Sequence, residues 1–310
     1  MDPVPSLVLL KEVTSIKFLV IVNPHSGKKE SRKVLDVVVP IFKSNNIELS
    51  ITRTEFPGHA KELTAALDLD IYHALLVVGG DGTFHEVVNG LLNRTDGRIL
   101  PIGLIPAGSG NSVIHDLDLM NPVKAAEAIV AGNTRFIDVA QVQMNHLLTY
   151  SINLIGWGLV TDVGKRSETF RWLGPSRYTV SSIIEILLRK TRKARLVIDK
   201  ETIEGQFSFI AACNSVHVGK GMKMAPSAEL SDGLIDLVIV EGDITRRRLI
   251  SVLPKLFDGT HVDEPEVTYY QASSFSLYPE TEDILNIDGE LLGTTPIDVK
   301  VLKQAIEIFG

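Results

Sequence analysis

Three short stretches combine glycine with residues that can bind or move charge: "VNPHSGKK" (22–29), "GGDGT" (79–83) and "PAGSGNS" (106–112). The middle one is the most specific, because Gly79, Gly80 and Gly82 surround a single carboxylate, Asp81. Glycines let backbone approach an anionic ligand closely, and a carboxylate within reach of a hydroxyl can take its proton. The plain alternative is a turn aspartate, but a turn needs one glycine rather than three. In the first stretch, backbone N–H groups can cradle phosphate with help from Lys28, or the segment is an ordinary strand-to-helix turn. In the third, Gly108 and Gly110 permit a tight backbone, and Ser109 or Asn111 is placed to cap a following helix. Thr83 and Glu86 have the T-x-x-E spacing of a capping box, which places a helix start there.

Such turns act together only if regular elements carry them to one place. Residues 16–23, 48–54, 73–80 and 100–106 read as strands; 30–44, 58–69, a segment from 84, and a segment opened by Pro122 and closed by Gly132 read as helices. This alternation predicts a mainly parallel sheet covered on both faces, with its glycine turns at one edge, where ligands bind in open α/β sheets. After about residue 138 the chain becomes strand-rich. The runs "FIDVAQVQ", "LLTYSINLIGW", "ARLVID", "GQFSFIAAC", "LIDLVIV", "SSFSLYP" and "DILNID" are broken by helical patterns near 177–191 and 245–257. They predict an antiparallel β-sandwich. The expected organisation is an α/β nucleotide-binding domain (1–138), a β-rich domain (139–296) with the site in the cleft between them, and a last segment (297–310) returning to the first domain.

Bulk properties exclude several classes. The 310 residues carry a formal net charge of −7, unlike a dedicated nucleic-acid binder. The single cysteine, Cys213, rules out intrachain disulfides and any cysteine-based zinc site, which points to a reducing compartment. The opening "MDPVPSLVLLKEV" has too short an apolar run for a secretory signal, and no apolar stretch approaches the roughly 18 residues of a membrane span. A cytoplasmic protein, or a peripheral one that meets membranes reversibly, is expected. The G-x-G-x-x-G fingerprint is incomplete in "GSGNSV", no P-loop is present, and the protein-kinase motifs are missing.

"NPHSGKK", "GGDGTFHEVVNGL" and "PAGSGN", in this order and spacing, resemble the diacylglycerol-kinase catalytic superfamily of lipid kinases. Residues 157–182, "WGLVTDVGKRSETFRWLGPSRYTVSS", are similar to the corresponding segment of sphingosine and plant long-chain-base kinases; "SDGLIDLVIV" (231–240) and "NIDGELL" (286–292) resemble two later signatures. The resemblance implies ATP and Mg²⁺ as cofactors and a lipid acceptor presented by a membrane. It makes Asp81 the general base, with Gly79, Gly80 and Gly82 beside the transferred group. Nucleotide contacts are implied for Asn23, Pro24 and His25; for Thr54, Glu55, Phe56, Pro57 and Gly58; and for Glu86, Gly108, Ser109 and Gly110. Arg171 and Arg177 are implied at the phosphates, with Asp288, Gly289 and Glu290 beside the nucleotide.

Substrate identity turns on a departure. Sphingosine-type kinases carry two acids two positions apart near the lipid's ammonium, whereas this chain reads Asp162-Val163-Gly164. Asp162 and Gly164 are therefore the substrate-contacting candidates, and a sphingoid base is the expected acceptor, with diacylglycerol and ceramide as alternatives. Asp232 and Asp236 form a candidate metal pair, unless Asp232-Gly233 is simply a turn. The clusters "RKTRKAR" (189–195) and "RRR" (246–248) are either solvated faces or attractors of anionic head groups. The "GGDGT" motif is shared with NAD kinases, against which the 22–29 and 157–177 segments argue. A catalytically silent lipid- or nucleotide-binding protein is the remaining class. Oligomeric state is open, a homodimer included.

Overall fold

A computed structural model describes residues 16–27, 30–108, 110–188, 190–219 and 221–310, with the backbone alone at Arg171, Gly174 and Pro175. The chain forms two units, one from the described part of 1–137 together with Gln304–Gly310, the other spanning Asp138–Lys303.

In the first unit, β1 (Ile16–Val22), β2 (Ile47–Arg53), β3 (Ala74–Gly79) and β4 (Ile102–Pro106) pair in parallel in the order β4-β3-β1-β2. Apolar residues fill β3 on both faces, as a sheet covered on both sides requires. Phe18, Val20, Val22, Ala74, Leu76 and Val78 face a cluster with Leu35, Val38 and Phe42 of α1 (Ser31–Ser44) and Ala126 and Ile129 of α5 (Pro122–Ala131). By the period of two, Leu75 and Val77 point to the opposite face, where α3 (Asp81–Leu92) packs on β3. Helix α2 (His59–Ala66) lies so close to α3 that Gly90 leaves room for Thr64: a Cβ there would stand 1.8 Å from the Thr64 hydroxyl. A short helix, α4 (Ser112–Asp116), follows β4. Helix α5 starts as expected, with Asn121 Oδ1 accepting from Val123 and Lys124 N–H at 2.9 and 3.2 Å, Pro122 in the first turn and Gly132 left-handed at φ 79°.

Register fixes where the turns emerge. Val22 is level with Arg53 and Val78, and Gly79 with Pro106. The four following turns therefore leave the sheet at the same edge.

The chain crosses into the second unit within β5 (Thr134–Met144). Strands β6 (Leu148–Ser151), β7 (Leu154–Gly158), β8 (Arg192–Ile198) and β9 (Glu201–Cys213) follow, then the two-residue pair β10 (His217–Val218) and β11 (Met222–Lys223). They are joined by β12 (Ile235–Glu241), β13 (Val267–Ala272), β14 (Ser274–Pro279), β15 (Ile284–Ile287), β16 (Glu290–Thr294) and β17 (Ile297–Phe309). Within this unit the pairings are antiparallel. The sandwich core draws Ile210 and Ala212 from β9 and Ile235, Leu237 and Ile239 from β12, with Trp157 set edge-on to Phe207. Alternate residues of the same strands (Phe209, Ala211, Val238 and Val240) cluster with Ile186 of α7 (Arg177–Leu188) and Leu249 of α8 (Arg246–Val252). The central strands are thus apolar on both faces.

The α/β and antiparallel sandwich architectures are as the sequence predicts. Three local expectations need correction. Residues 159–169 form a helix, α6 (Leu159–Thr169), entered through Gly158 at φ 81°, in a segment too polar to announce one. Strand β13 lies outside the expected strands, although its valine, threonine and tyrosines suit one. The second helical pattern ends at Val252 and continues as a 3₁₀ turn from Leu253, where Pro254 follows at once.

Candidate active site

At the shared edge of the first sheet the turns touch through bare backbone. A Cβ on Gly108 would stand 2.5 Å from Gly80 Cα, and one on Gly80 would stand 2.6 Å from the Gly110 carbonyl oxygen. A Cβ on Gly27, itself left-handed at φ 56°, would stand 2.7 Å from the Ala107 oxygen. Atoms at these distances overlap, so the turns after β1, β3 and β4 meet only because these three positions lack side chains. Asn23 ties the first two turns, its Nδ2 donating to Thr83 Oγ1 at 3.1 Å while its Oδ1 accepts from His25 N–H at 2.9 Å. A glycine-lined edge at helix starts lets a phosphate chain come close to the backbone, and the residues present fit the nucleotide their sequence implies.

Asp81 opens α3 and is half-buried. Its N–H donates to the Gly110 carbonyl at 3.1 Å. Its carboxylate accepts from Ser112 three times: from the N–H at 2.8 Å (Oδ1) and 2.9 Å (Oδ2), and from the hydroxyl at 2.9 Å (Oδ2). The acid therefore caps α4 from across the edge. Asn111, one of the two expected caps, makes no side-chain cap bond; its Nδ2 turns back to the Gly108 carbonyl at 3.0 Å. The expected capping box of Thr83 and Glu86 is likewise absent. Helix α3 begins two residues earlier than Thr83, and Glu86 reaches sideways to α2, where Oε1 accepts from Gly58 N–H at 2.8 Å and Oε2 from Ala60 N–H at 3.0 Å. Four residues beyond Gly82, on the turn above it, the carboxylate faces the neighbouring helix rather than its own start. Glu86 thereby fixes the end of the 54–58 turn, in which Thr54 is buried and the half-exposed Phe56 ring stacks on His59 at 4.6 Å.

Among the implied nucleotide and transfer residues of this unit, Asn23, Pro24, His25, Gly79, Gly80, Asp81, Gly82, Gly108 and Gly110 thus occupy one edge. Thr54, Glu55, Phe56, Pro57 and Gly58 leave it from β2, joined to α3 by Glu86. Ser109 and Lys28 lie outside the described residues. Ser112 had no role in the sequence reading. The only signal for it was its place at the end of the third glycine turn.

The second unit's candidates are bound up differently. Asp288 and Gly289, both left-handed (φ 53° and 95°), turn β15 into β16, as a two-residue hairpin demands. The buried Asp288 carboxylate accepts from Ser151 Oγ and from the N–H groups of Ile152, Asn153 and Leu154, at 2.8 to 2.9 Å. Glu290 is exposed. Asp162, on α6, is gripped by both of its oxygens at 2.9 Å by Arg192 Nη2, and Arg192 also pairs with Asp283. Gly164 leaves space for Asn286: a Cβ would stand 2.8 Å from Asn286 Nδ2, whose Oδ1 holds Gly289 N–H at 2.9 Å. Arg177 opens α7, pairs with Glu168 at 3.6 Å and lies over the Tyr178 ring. Of Arg171 the backbone alone is described, in a 3₁₀ turn running to Ser176.

Asp232 and Asp236 do not share a partner. Asp232 Oδ1 accepts from Leu234 N–H at 2.9 Å, closing a turn through Gly233 at φ 84°. Asp236 accepts from Tyr269 Oη at 2.5 Å and Gln271 Nε2 at 3.1 Å, and burial pushes its pKa above the ordinary carboxylate value. Burial also pushes the Tyr269 phenol upward, so the proton between them stays on the tyrosine side when Asp236 is ionised. The basic clusters are partly neutralised: Arg192 holds two acids, and Arg248 pairs with Glu264 and Glu266.

With this geometry in hand, comparison with known proteins is direct. Residues 17–142 match the diacylglycerol kinase catalytic domain, and residues 153–310 match the YegS C-terminal NAD kinase beta sandwich-like domain. Sphingosine kinase 1 of Arabidopsis thaliana is 33% identical over 334 residues, covering 89% of this chain and 68% of the relative. The diacylglycerol kinase of Staphylococcus carnosus is 30% identical over 295 residues, covering 94% of each. A crystal structure of a diacylglycerol kinase from Bacillus anthracis superposes with a TM-score of 0.77 at 23% identity, over 96% of this chain and 98% of that one. The chain belongs to the diacylglycerol-kinase superfamily of lipid kinases, with its catalytic domain followed by the YegS-type sandwich. An NAD kinase from Archaeoglobus fulgidus shares the fold at a TM-score of 0.50 and 13% identity.

Proposed function

We propose that the chain transfers the γ-phosphoryl group of ATP to the primary hydroxyl of a membrane-presented lipid, with Asp81 as general base and a sphingoid long-chain base as the acceptor. The observation that carries the reading is the seat of Asp81, where the turns after β3 and β4 meet through glycine backbone and Ser112 fixes its carboxylate. Phosphoryl transfer asks a protein mostly for positioning and charge stabilisation, which this edge supplies. Asp81 accepts the hydroxyl proton as the lipid oxygen bonds to phosphorus and the bond to the ADP oxygen breaks. The glycine-lined 23–27, 79–83 and 106–111 turns border the phosphate chain and let it approach closely, and the 54–58 turn lies beside it. Mg²⁺ carried on those phosphates would spread the charge of the transferred group. Arg171 and Arg177 are assigned to the same phosphates.

The relatives named sphingosine kinases support a sphingoid acceptor. A second reading, diacylglycerol, draws on a specific observation: Arg192 already engages both Asp162 oxygens, and the place of a second acid is taken by the Asn286 amide. An ammonium then has less negative charge to meet than the two-acid pattern offers.

Purified protein with labelled ATP and micelles of sphingosine, phytosphingosine, ceramide or diacylglycerol tests both readings. Phosphorylation of the two sphingoid bases is expected; diacylglycerol alone would move the assignment to the second reading. Asp81→Asn is expected to lower kcat by about 10²–10⁴-fold with ATP binding kept. Turnover like that of the wild type would remove Asp81 from the role of base.

A further inference from the structure

A general base is only as good as its aim, and Ser112 takes part in aiming the Asp81 side chain. Ser112 donates to it twice over, through a backbone N–H shared between both oxygens and through a hydroxyl to Oδ2. Ser112 is itself buried, so its hydroxyl is withdrawn from solvent. It also ends the 106–111 turn, whose Gly108 touches Gly80, the residue just before Asp81. Asp81 is thus held at three points by one turn: Gly80 by contact with Gly108, its own N–H by the Gly110 carbonyl, and its carboxylate by Ser112.

We infer that Ser112 is a positioning residue for phosphoryl transfer, its hydroxyl fixing the rotation of the Asp81 carboxylate and tying the base to the turn that binds the nucleotide. The inference rests on the reading of Asp81 as base. The N–H is shared between both oxygens, and the hydroxyl, a different atom of Ser112, adds a second constraint at Oδ2. A side chain turned away from the acceptor hydroxyl loses the pre-organised geometry that makes proton transfer effective, while nucleotide contacts made by backbone are untouched.

The test is steady-state kinetics of Ser112→Ala and Ser112→Thr on whichever lipid the wild type phosphorylates. Alanine keeps the N–H bonds and removes the hydroxyl; threonine restores it. The alanine variant should lose about tenfold in kcat, the effect of one neutral-to-charged hydrogen bond, with the KM for ATP within twofold of wild type. Threonine should recover kcat to within about threefold. If the alanine variant does not fold, Ser112→Cys removes most of the donor strength at nearly the same size, and the same fall is expected. Wild-type kcat in the alanine or cysteine variant, a loss that threonine does not repair, or a rise in ATP KM that matches the fall in kcat would overturn the inference. The underlying reading fails separately: it falls if the wild type phosphorylates no lipid or if Asp81→Asn stays active.

Discussion

In the first unit, Asp81 and Glu86 sit half-buried on one helix and each reaches out to cap another; in the second, Asp288 in a hairpin turn and Asp236 in a strand are buried and ringed by donors of their own unit. All four fall in or beside motifs with the same standing in the sequence. Their surroundings separate them. Asp81 is tied to the neighbouring turn at the glycine-lined sheet edge, and Glu86 to the start of α2, so each joins one loop or helix to another. A carboxylate taking four hydrogen bonds, as Asp288 does, is an anchor whose charge is spent on the turn at 151–154. A signature residue therefore need not be a reacting one, and the two units should respond in opposite ways when their acids and glycines are changed.

The largest effect on the fold should come from Asp288→Ala. Removing a buried carboxylate leaves three backbone N–H groups and a hydroxyl without their acceptor, and a loss of about 3–5 kcal/mol is expected. Thermal melting measures it. A loss under about 1 kcal/mol would mean that water replaces the anchor.

Gly108→Ala should act more strongly on function than on stability. Its new Cβ cannot coexist with Gly80 Cα at 2.5 Å, so the turns must part, at about 1–3 kcal/mol for an overpacked site. Activity should fall by about a hundredfold or more, because a base misplaced by about an ångström loses that much. Gly58→Ala, where φ is 89° but no atom lies within 4 Å of a Cβ, is the control for backbone strain without overlap. If both variants behave alike, the close approach of the turns is not what matters.

The same contrast explains how far the sequence could be read. The parallel unit is legible because β1, β3 and β4 are buried on both faces and run as largely apolar segments, and because glycine marks each turn. The antiparallel unit is legible as a class, but α6 is too polar and too short of periodic apolar residues to be seen as a helix. Side-chain partnerships are the hidden part. Ser112 lies 31 residues from Asp81, Glu86 lies 28 from Gly58, and Asp288 lies more than 130 from the amides it holds. Local spacing suggested caps for Glu86 and Asn111 within their own helices; packing gave Glu86 a different helix to cap and turned Asn111 back on its own turn.

The second unit should also carry a distinct acid response through His261. It is buried, its Nε2 pairs with the Met224 carbonyl at 3.0 Å, and burial lowers its pKa below the ordinary 6.5. The folded state then binds a proton less readily than the unfolded chain, so stability is full above pH 6.5 and declines as pH falls from there through the folded-state value. His261→Gln should flatten that decline in denaturant titrations at pH 7 and pH 5. An unchanged slope would assign the response to other groups.

The smallest effect on the fold, and the most telling for the acceptor, should come from Gly164→Asp. The new Cβ meets only the far end of the Asn286 side chain, at 2.8 Å, so a rotation of that amide relieves it, at about 1 kcal/mol. The amide would then face a carboxylate and can donate to it, although its hold on Gly289 N–H is at risk. Arg192 continues to occupy Asp162, so the added acid brings a charge that the existing cation does not cancel. If the head group of the lipid lies here, the ratio of kcat/KM for sphingosine over diacylglycerol should rise severalfold in the variant, because an ammonium gains a partner that a glycerol hydroxyl does not need. A ratio that stays put while the protein remains folded would place the head group away from Gly164, and would leave the paired Asp162 as a bracing contact between α6 and β8.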